Sequence, residues 1–312
     1  MRIGFWAGVA IGLAGAAQAG VPRVAADIPP VAGLVARVMD GVGAPELVVP
    51  PGASPHGYAL RPSEARVLSS ADLVVWVGEA LTPWLEHPLD TLAPEAARLE
   101  LLAVPGTHLL TVRDGATFEP HHHEDEAGPD DHGHDEAGHD HEGTDPHAWL
   151  DPANAALWLG AIAEDLARLD PDHADRYRAN AEAGAAEIAR AAAAVTARLA
   201  PLSDRPFIVF HDAYHYAEAA FGVEAAGAMS LSDATEPGPA RLAELRDAVR
   251  DMGVACVFTE PQFSPRLVAT VTEGAGVRTA VLDPLGTGIA PGAAFYPAFL
   301  HQLGEAMAGC LE

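Results

Sequence analysis

Between residues 119 and 145 the sequence places seven histidines, His121, His122, His123, His132, His134, His139 and His141, among eleven carboxylates, with no basic side chain. Neutral imidazoles and carboxylates are ligands for borderline divalent ions such as zinc, so the run reads as a weak, multi-site metal trap. A solvated acidic linker is the plainer reading. Either way the composition predicts a disordered loop, because too little apolar surface is present to offset the entropy of ordering it.

Four further residues, His56, His147, His211 and Asp283, stand where an apolar run ends or in the loop after it. Ligands of open α/β sheets sit beyond the carboxyl ends of the strands, so such residues from two lobes can converge on the cleft between them. A structural or surface role is the alternative for each. A competing motif is His211-Asp212-Ala213-Tyr214-His215, which has the spacing of a zinc-hydrolase H-E-x-x-H with Asp for Glu. That mechanism needs both histidines on one helical face, whereas His211 follows an apolar strand directly. His215 then reads as a rim residue and Glu260, after the run 254–259, as a loop-stabilising group. His87, His108, His173 and His301 lack ligand spacing and are expected to be exposed.

Alternating elements must position these groups. Residues 24–27 read as a strand turning into a helix at Pro29-Pro30, residues 47–49 as a compact strand, and Pro62 as a helix start. The continuous apolar run 72–78 is that of a strand buried on both faces. Asp151-Pro152 caps a helix with a stripe through Leu159, Ile162, Leu166 and Leu169, and Asp170-Pro171 opens an Ala-rich helix that can run to Leu199, about 40 Å. Strands at 207–210, 254–259 and 277–282 and helices around 242–249 and 295–308 then resume the alternation. The fold class is α/β, with mostly parallel sheets in two lobes joined by one long rigid helix. The units predicted are a first lobe at 20–169, a linker helix at 170–200 and a second lobe at 201–312.

Residues 1–19, with Arg2, a short apolar run and Ala17-Gln18-Ala19, read as a cleaved signal peptide, so the mature chain is expected outside the cytoplasm. No Cys stands at the cleavage point for a lipid anchor, and no later segment is long and apolar enough for membrane insertion. Export favours a disulfide between Cys256 and Cys310, the only two cysteines, with two buried free thiols as the alternative. A net charge of -26, with every basic residue an arginine, argues against nucleic acid and for cations as partners.

The chain resembles the ZnuA-type zinc-binding proteins, the periplasmic solute-binding components of bacterial zinc ABC importers. The resemblance is carried by Pro51-Gly52-Ala53-Ser54-Pro55-His56-Gly57-Tyr58, the run 71–78, the His/acid loop and Asp145-Pro146-His147-Ala148-Trp149-Leu150-Asp151-Pro152. Phe210-His211-Asp212-Ala213-Tyr214, Thr259-Glu260-Pro261-Gln262-Phe263 and Leu282-Asp283-Pro284-Leu285-Gly286 complete it, over essentially the whole mature chain. It implies a Zn2+ in the inter-lobe cleft held by His56 and His147 from the first lobe and His211 from the second. Asp283 matches a position that supplies a carboxylate in related manganese binders, so the fourth ligand is Asp283 or water. Imidazole rather than Glu at position 211 favours zinc over a hard ion. Pro55 stands where some relatives carry an acid, and His215, where relatives have a small residue, offers an accessory ligand. Cys256 and Cys310 match a disulfide pair of part of the family. The resemblance further implies a periplasmic monomer that is no enzyme and delivers zinc to a membrane permease with a cytoplasmic ATPase behind it. A zinc hydrolase using His211, Asp212 and His215, or a zinc store based on the loop, is the rival reading.

Overall fold

The computed structural model describes residues 20–113, 117–118, 143–230, 238–251 and 253–312. The predicted signal peptide and the seven loop histidines lie outside these residues.

The first lobe begins with β1 (Val24–Ala26), α1 (Pro29–Val38), β2 (Glu46–Leu47), α2 (Pro62–Ser70), β3 (Leu73–Trp76), α3 (Glu86–Leu92) and β4 (Ala97–Glu100). Its helix α4 (Pro152–Leu169) starts where predicted, with the Asp151 carboxylate accepting from the Ala153 amide at 2.8 Å and Pro152 at the first helical position. The connector α5 (Ala174–Leu199) has 26 residues, about 39 Å at helical rise. Beyond it lie β5 (Phe207–His211), α6 (His215–Phe221), β6 (Ala225–Ser230), α7 (Pro239–Asp251), β7 (Cys256–Thr259), α8 (Pro265–Thr272), β8 (Arg278–Val281) and α9 (Phe295–Leu311).

Among the described residues these strands form two four-stranded, wholly parallel sheets, in the orders β2-β1-β3-β4 and β6-β5-β7-β8. All residues of β3 and β5 are buried, as their unbroken apolar sequences demand of strands covered on both faces. The expected α/β fold with a long linking helix is therefore found. Two strands have no counterpart in the sequence reading. Strand β4, Ala-Arg-Leu-Glu, alternates over only four residues with a single large apolar side chain, and β6, Ala-Ala-Gly-Ala-Met-Ser, has small residues with weak strand preference. Each forms because a stronger neighbour, β3 or β5, supplies its ladder.

One apolar cluster runs through both lobes, from Leu34 and Leu159 through Tyr177, Ile188 and Val195 of α5 to Tyr296 and Leu303 of α9. Glycines allow the helices this close. A β-carbon on Gly184 of α5 would meet Leu159 and Arg37 side chains at 2.9 and 2.8 Å, and one on Gly304 of α9 would meet Val195 of α5 at 2.8 Å. Separate clusters under α2 and α3 and under α7 and α8 cover the outer faces of the two sheets. The connector is thus packed along its length against both lobes rather than spanning open solvent.

Candidate metal centre

His56 lies in the turn-rich loop after β2. The Trp84 indole donates to the Pro55 carbonyl at 2.6 Å, and Tyr58 donates to Glu64 at 2.9 Å, so the loop is pinned on both sides of the histidine. His147 is buried ahead of a single 3-10 turn, Ala148–Leu150. Asp145 Oδ1 accepts from both the His147 amide, at 3.0 Å, and its Nδ1, at 2.7 Å. His211 is the last residue of β5, buried, with Nδ1 2.7 Å from Oε1 of Glu260, the residue after β7. Strands β5 and β7 are neighbours on which the connections diverge, so this pair occupies the topological switch point of the second sheet.

Each carboxylate accepts a hydrogen bond from Nδ1–H and so places the imidazole lone pair on Nε2. The Nε2 atoms converge. His147 Nε2 is 3.3 Å from His56 Nε2 and 3.4 Å from His211 Nε2, and the ligand atoms of all three lie within 4.8 Å of one another. Nitrogens bound to tetrahedral zinc at about 2.0–2.1 Å stand about 3.3–3.4 Å apart, the spacing of these two edges. Nitrogen lone pairs facing each other at that distance repel unless a cation or a shared proton lies between them. The space they enclose is about 10 Å³, room for roughly one water- or ion-sized guest, and Trp149, Gln262, Pro284 and Leu285 close its walls.

The other candidates are placed differently. Asp283 is outside the group of three histidines; its Oδ1 accepts from the Leu285 amide at 2.9 Å and its Oδ2 from the Thr287 amide at 2.6 Å, which ties it to its own turn. His215 opens α6 outside the group, with Nδ1 3.9 Å from Asp145 Oδ2. Burial, followed by the Arg113 charge, lowers its pKa. The hydrolase reading needs Asp212 as a base, yet Arg113 holds that carboxylate in an ion pair. His87, His108, His173 and His301 are exposed, as expected. Cys256 and Cys310 form a disulfide joining β7 to α9.

Sequence reasoning missed the orienting role of Asp145 and took Glu260 for a loop stabiliser. Asp-x-His, with the acid two residues before the imidazole, was the available signal for the first. The second pair spans 49 residues and is visible only in the sheet order. Burial pushes the Asp145 carboxyl up to about 6, partly offset by the His147 amide. Also unforeseen was Trp149, whose ring lies tilted beside His147 with centroids 5.2 Å apart and whose indole donates across to the Pro284 carbonyl of the second lobe at 2.8 Å.

A family model described as "Zinc-uptake complex component A periplasmic" matches residues 24–310. The chain is 47% identical over 304 residues to the high-affinity zinc uptake system protein ZnuA of Paracoccus denitrificans, covering 95% of this chain and 93% of that one. To the protein of the same description from Brucella suis it is 39% identical over 318 residues, covering 96% and 95%. A solved structure described as the crystal structure of ZnuA superposes with a TM-score of 0.74 at 24% identity, over 94% of this chain and 100% of that one, a likeness of fold.

Proposed function

The chain belongs to the ZnuA family of zinc-uptake components, solute-binding proteins rather than enzymes, and on that premise we propose that it carries Zn2+ between its lobes on the Nε2 atoms of His56, His147 and His211. The observation that carries the assignment is the pair of Nε2 separations, 3.3 and 3.4 Å, at the edge length of a tetrahedral zinc. Water takes the fourth position in this reading, since Asp283 lies outside the group that the three histidines form. Asp145 and Glu260 balance the two charges of the ion while orienting two of its ligands.

Neutral imidazoles suit a borderline ion better than a hard, oxygen-preferring one. They must also give up their protons to bind it, so affinity falls toward acid pH. In this reading the protein works in the periplasm and hands its zinc to the membrane permease of an ABC importer driven by a cytoplasmic ATPase. No helix of the described residues is long and apolar enough to cross a membrane, and family members likewise serve membrane importers. The histidines of residues 119–142 add weak metal capture.

Calorimetric titration of metal-free protein with zinc tests the reading, alongside His211→Ala and a deletion of residues 119–142 that spares Asp145. One stoichiometric tight site should survive the deletion and weaken by roughly a thousandfold in His211→Ala, about a third of the 10–16 kcal/mol that a full ligand set contributes. A tight site that persists in His211→Ala and disappears with the deletion would mean that the histidine run is the receptor and the protein a zinc store.

A further inference from the structure

The two lobes are joined a second time, away from the connector helix. Residues 110–113 run antiparallel to 143–145, with Val112 N donating to Gly143 O and Asp145 N to Leu110 O, both at 2.8 Å. This ribbon leaves the first lobe and lies on the second. The Tyr216 hydroxyl of α6 accepts from the Leu110 amide at 2.8 Å and donates to the Asp145 carbonyl at 2.9 Å. Thr117 and Phe118 extend the attachment by pairing with the edge strand β6, Phe118 N donating to Ala226 O at 3.0 Å.

Arg113 fastens the ribbon. Its guanidinium donates to both oxygens of Asp212, the Nε contacts being 3.1 Å, and to both oxygens of Glu218 at 2.8 and 2.9 Å. Both carboxylates are buried and Arg113 is 12% exposed, with the Phe118 ring centroid 3.8 Å from the guanidinium carbon. Glu218 is itself fixed by the Ala225 amide at the start of β6. A planar fork that satisfies two buried carboxylates at once is a contact only arginine can make. The ends of this clamp matter for the cleft. The ribbon terminates in Asp145, which orients His147, and Asp212 directly follows His211.

We propose that Arg113 is a positioning residue for the zinc site: the Arg113, Asp212 and Glu218 clamp holds the scaffold of His147 against that of His211 in the metal-free protein. The three ligands are then preformed before the ion arrives, and opening the cleft to release it requires this clamp to part. The proposal rests on the zinc-carrier reading, but its contacts involve protein groups alone and can be tested without metal.

The test is the inter-lobe distance distribution, measured by double electron-electron resonance between spin labels at Glu95→Cys and Glu273→Cys, both exposed, in a chain whose two native cysteines are paired. Wild-type distributions should coincide with and without zinc. In Arg113→Lys, which keeps the charge but not the fork, the metal-free distribution should broaden to longer distances and return on adding zinc. Its zinc affinity should fall by about tenfold, as for a competent state populated about one tenth of the time. Arg113→Met, which leaves two buried carboxylates facing one another, should exaggerate both effects if it folds. An Arg113→Lys protein with wild-type metal-free distances and zinc affinity, even one that melts earlier, would overturn the proposal. So would a wild type whose lobes separate when metal is removed. If the wild type bound no zinc, the carrier reading would fall, while the metal-free distances would still decide whether the clamp exists.

Discussion

The two lobes repeat one strand order, yet the same point of each sheet is put to opposite use. In the second lobe the switch point between β5 and β7 carries a ligand and its orienting acid, His211 and Glu260, 2.7 Å apart. In the first, the equivalent point between β1 and β3 is closed by Asp27, fully buried, whose oxygens accept from the amides of Ile28 and Val77, each at 2.8 Å. With that point shut, the histidines of the first lobe come from loops, pinned by Trp84, Tyr58 and Asp145. One lobe therefore presents its ligand from a sheet, and the other presents two from loops held by side chains. The carboxyl end of a parallel sheet is a place to put chemistry, and a second sheet of the same order need not use it.

The largest consequence of the difference is in stability. Only the sheet-borne side is stapled, through Cys256 on β7 and Cys310 on α9, 54 residues apart. Closing a loop of this length is worth about 4 kcal/mol in the chain-entropy model. Cys256→Ala with Cys310→Ala should lower the thermal midpoint of the metal-free protein by about 10 °C, and saturating zinc should restore part of the loss by mass action. A calorimetric scan that finds the midpoint unmoved would show that the packing of α9 alone fixes the second lobe.

Next in size is the contrast between the two orienting acids. Removing an outer-sphere partner of a metal-bound histidine costs about 10- to 100-fold in metal affinity. Glu260→Ala and Asp145→Ala should both fall in that range. The amide variants should separate them. Asp145 Oδ2 faces His215 Nδ1, a buried nitrogen with no hydrogen-bond partner in the structure, which could accept from an asparagine amide. Glu260 is buried at the end of β7 and its Oε1 also accepts from the His211 amide at 3.3 Å, so a glutamine there disturbs ligand and strand together. Zinc titrations should rank Glu260→Gln as weaker than Asp145→Asn, and the reverse order would mean that loop and sheet hold their ligands equally rigidly.

What the sequence made legible follows the same division. The strands that build the sheets as buried apolar runs, β3 and β5, announce themselves, and His211 could be picked out because a polar residue at the end of such a run needs a reason. The long connector was readable from its Asp-Pro start and its Ala-rich stripe, although Asp170-Pro171 opens a 3-10 turn and the helix itself begins at Ala174. Illegible were the features that exist only through neighbours. Strands β4 and β6 depend on a partner's ladder, the pairing of His211 with Glu260 depends on sheet order, and the embrace of Arg113 by Asp212 and Glu218 joins residues about a hundred positions apart. Asp283 is the instructive case. Its place after β8 suits a ligand, but an aspartate followed by Pro-Leu-Gly is equally suited to capping its own turn, and its oxygens are directed to Leu285 and Thr287.

Asp27 offers the most selective measure of how the first lobe closed its switch point. Burial pushes its carboxyl up to about 7, with the amides of Val77 and Ile28 acting the other way. In the unfolded chain the group titrates at about 3.9. Below that value both states are protonated and the contribution to stability is fully present. As pH rises from about 4 the unfolded chain ionises while the native state keeps its proton, so stability declines until the native carboxyl itself ionises near 7. The slope due to one such proton is at most about 1.4 kcal/mol per pH unit. Asp145 adds a decline of the same sign that ends near 6, and the half-buried His215, which the unfolded chain protonates first, contributes one of opposite sign. Urea midpoints of the metal-free protein should therefore be compared as the difference between wild type and Asp27→Asn across pH 4 to 7. Loss of one backbone acceptor in the variant gives a constant offset, whereas loss of the titrating group changes the slope. The advantage of the wild type should shrink steadily toward pH 7. A difference that stays flat would mean that the two backbone amides hold Asp27 ionised, and that the first lobe closes its switch point with a charge.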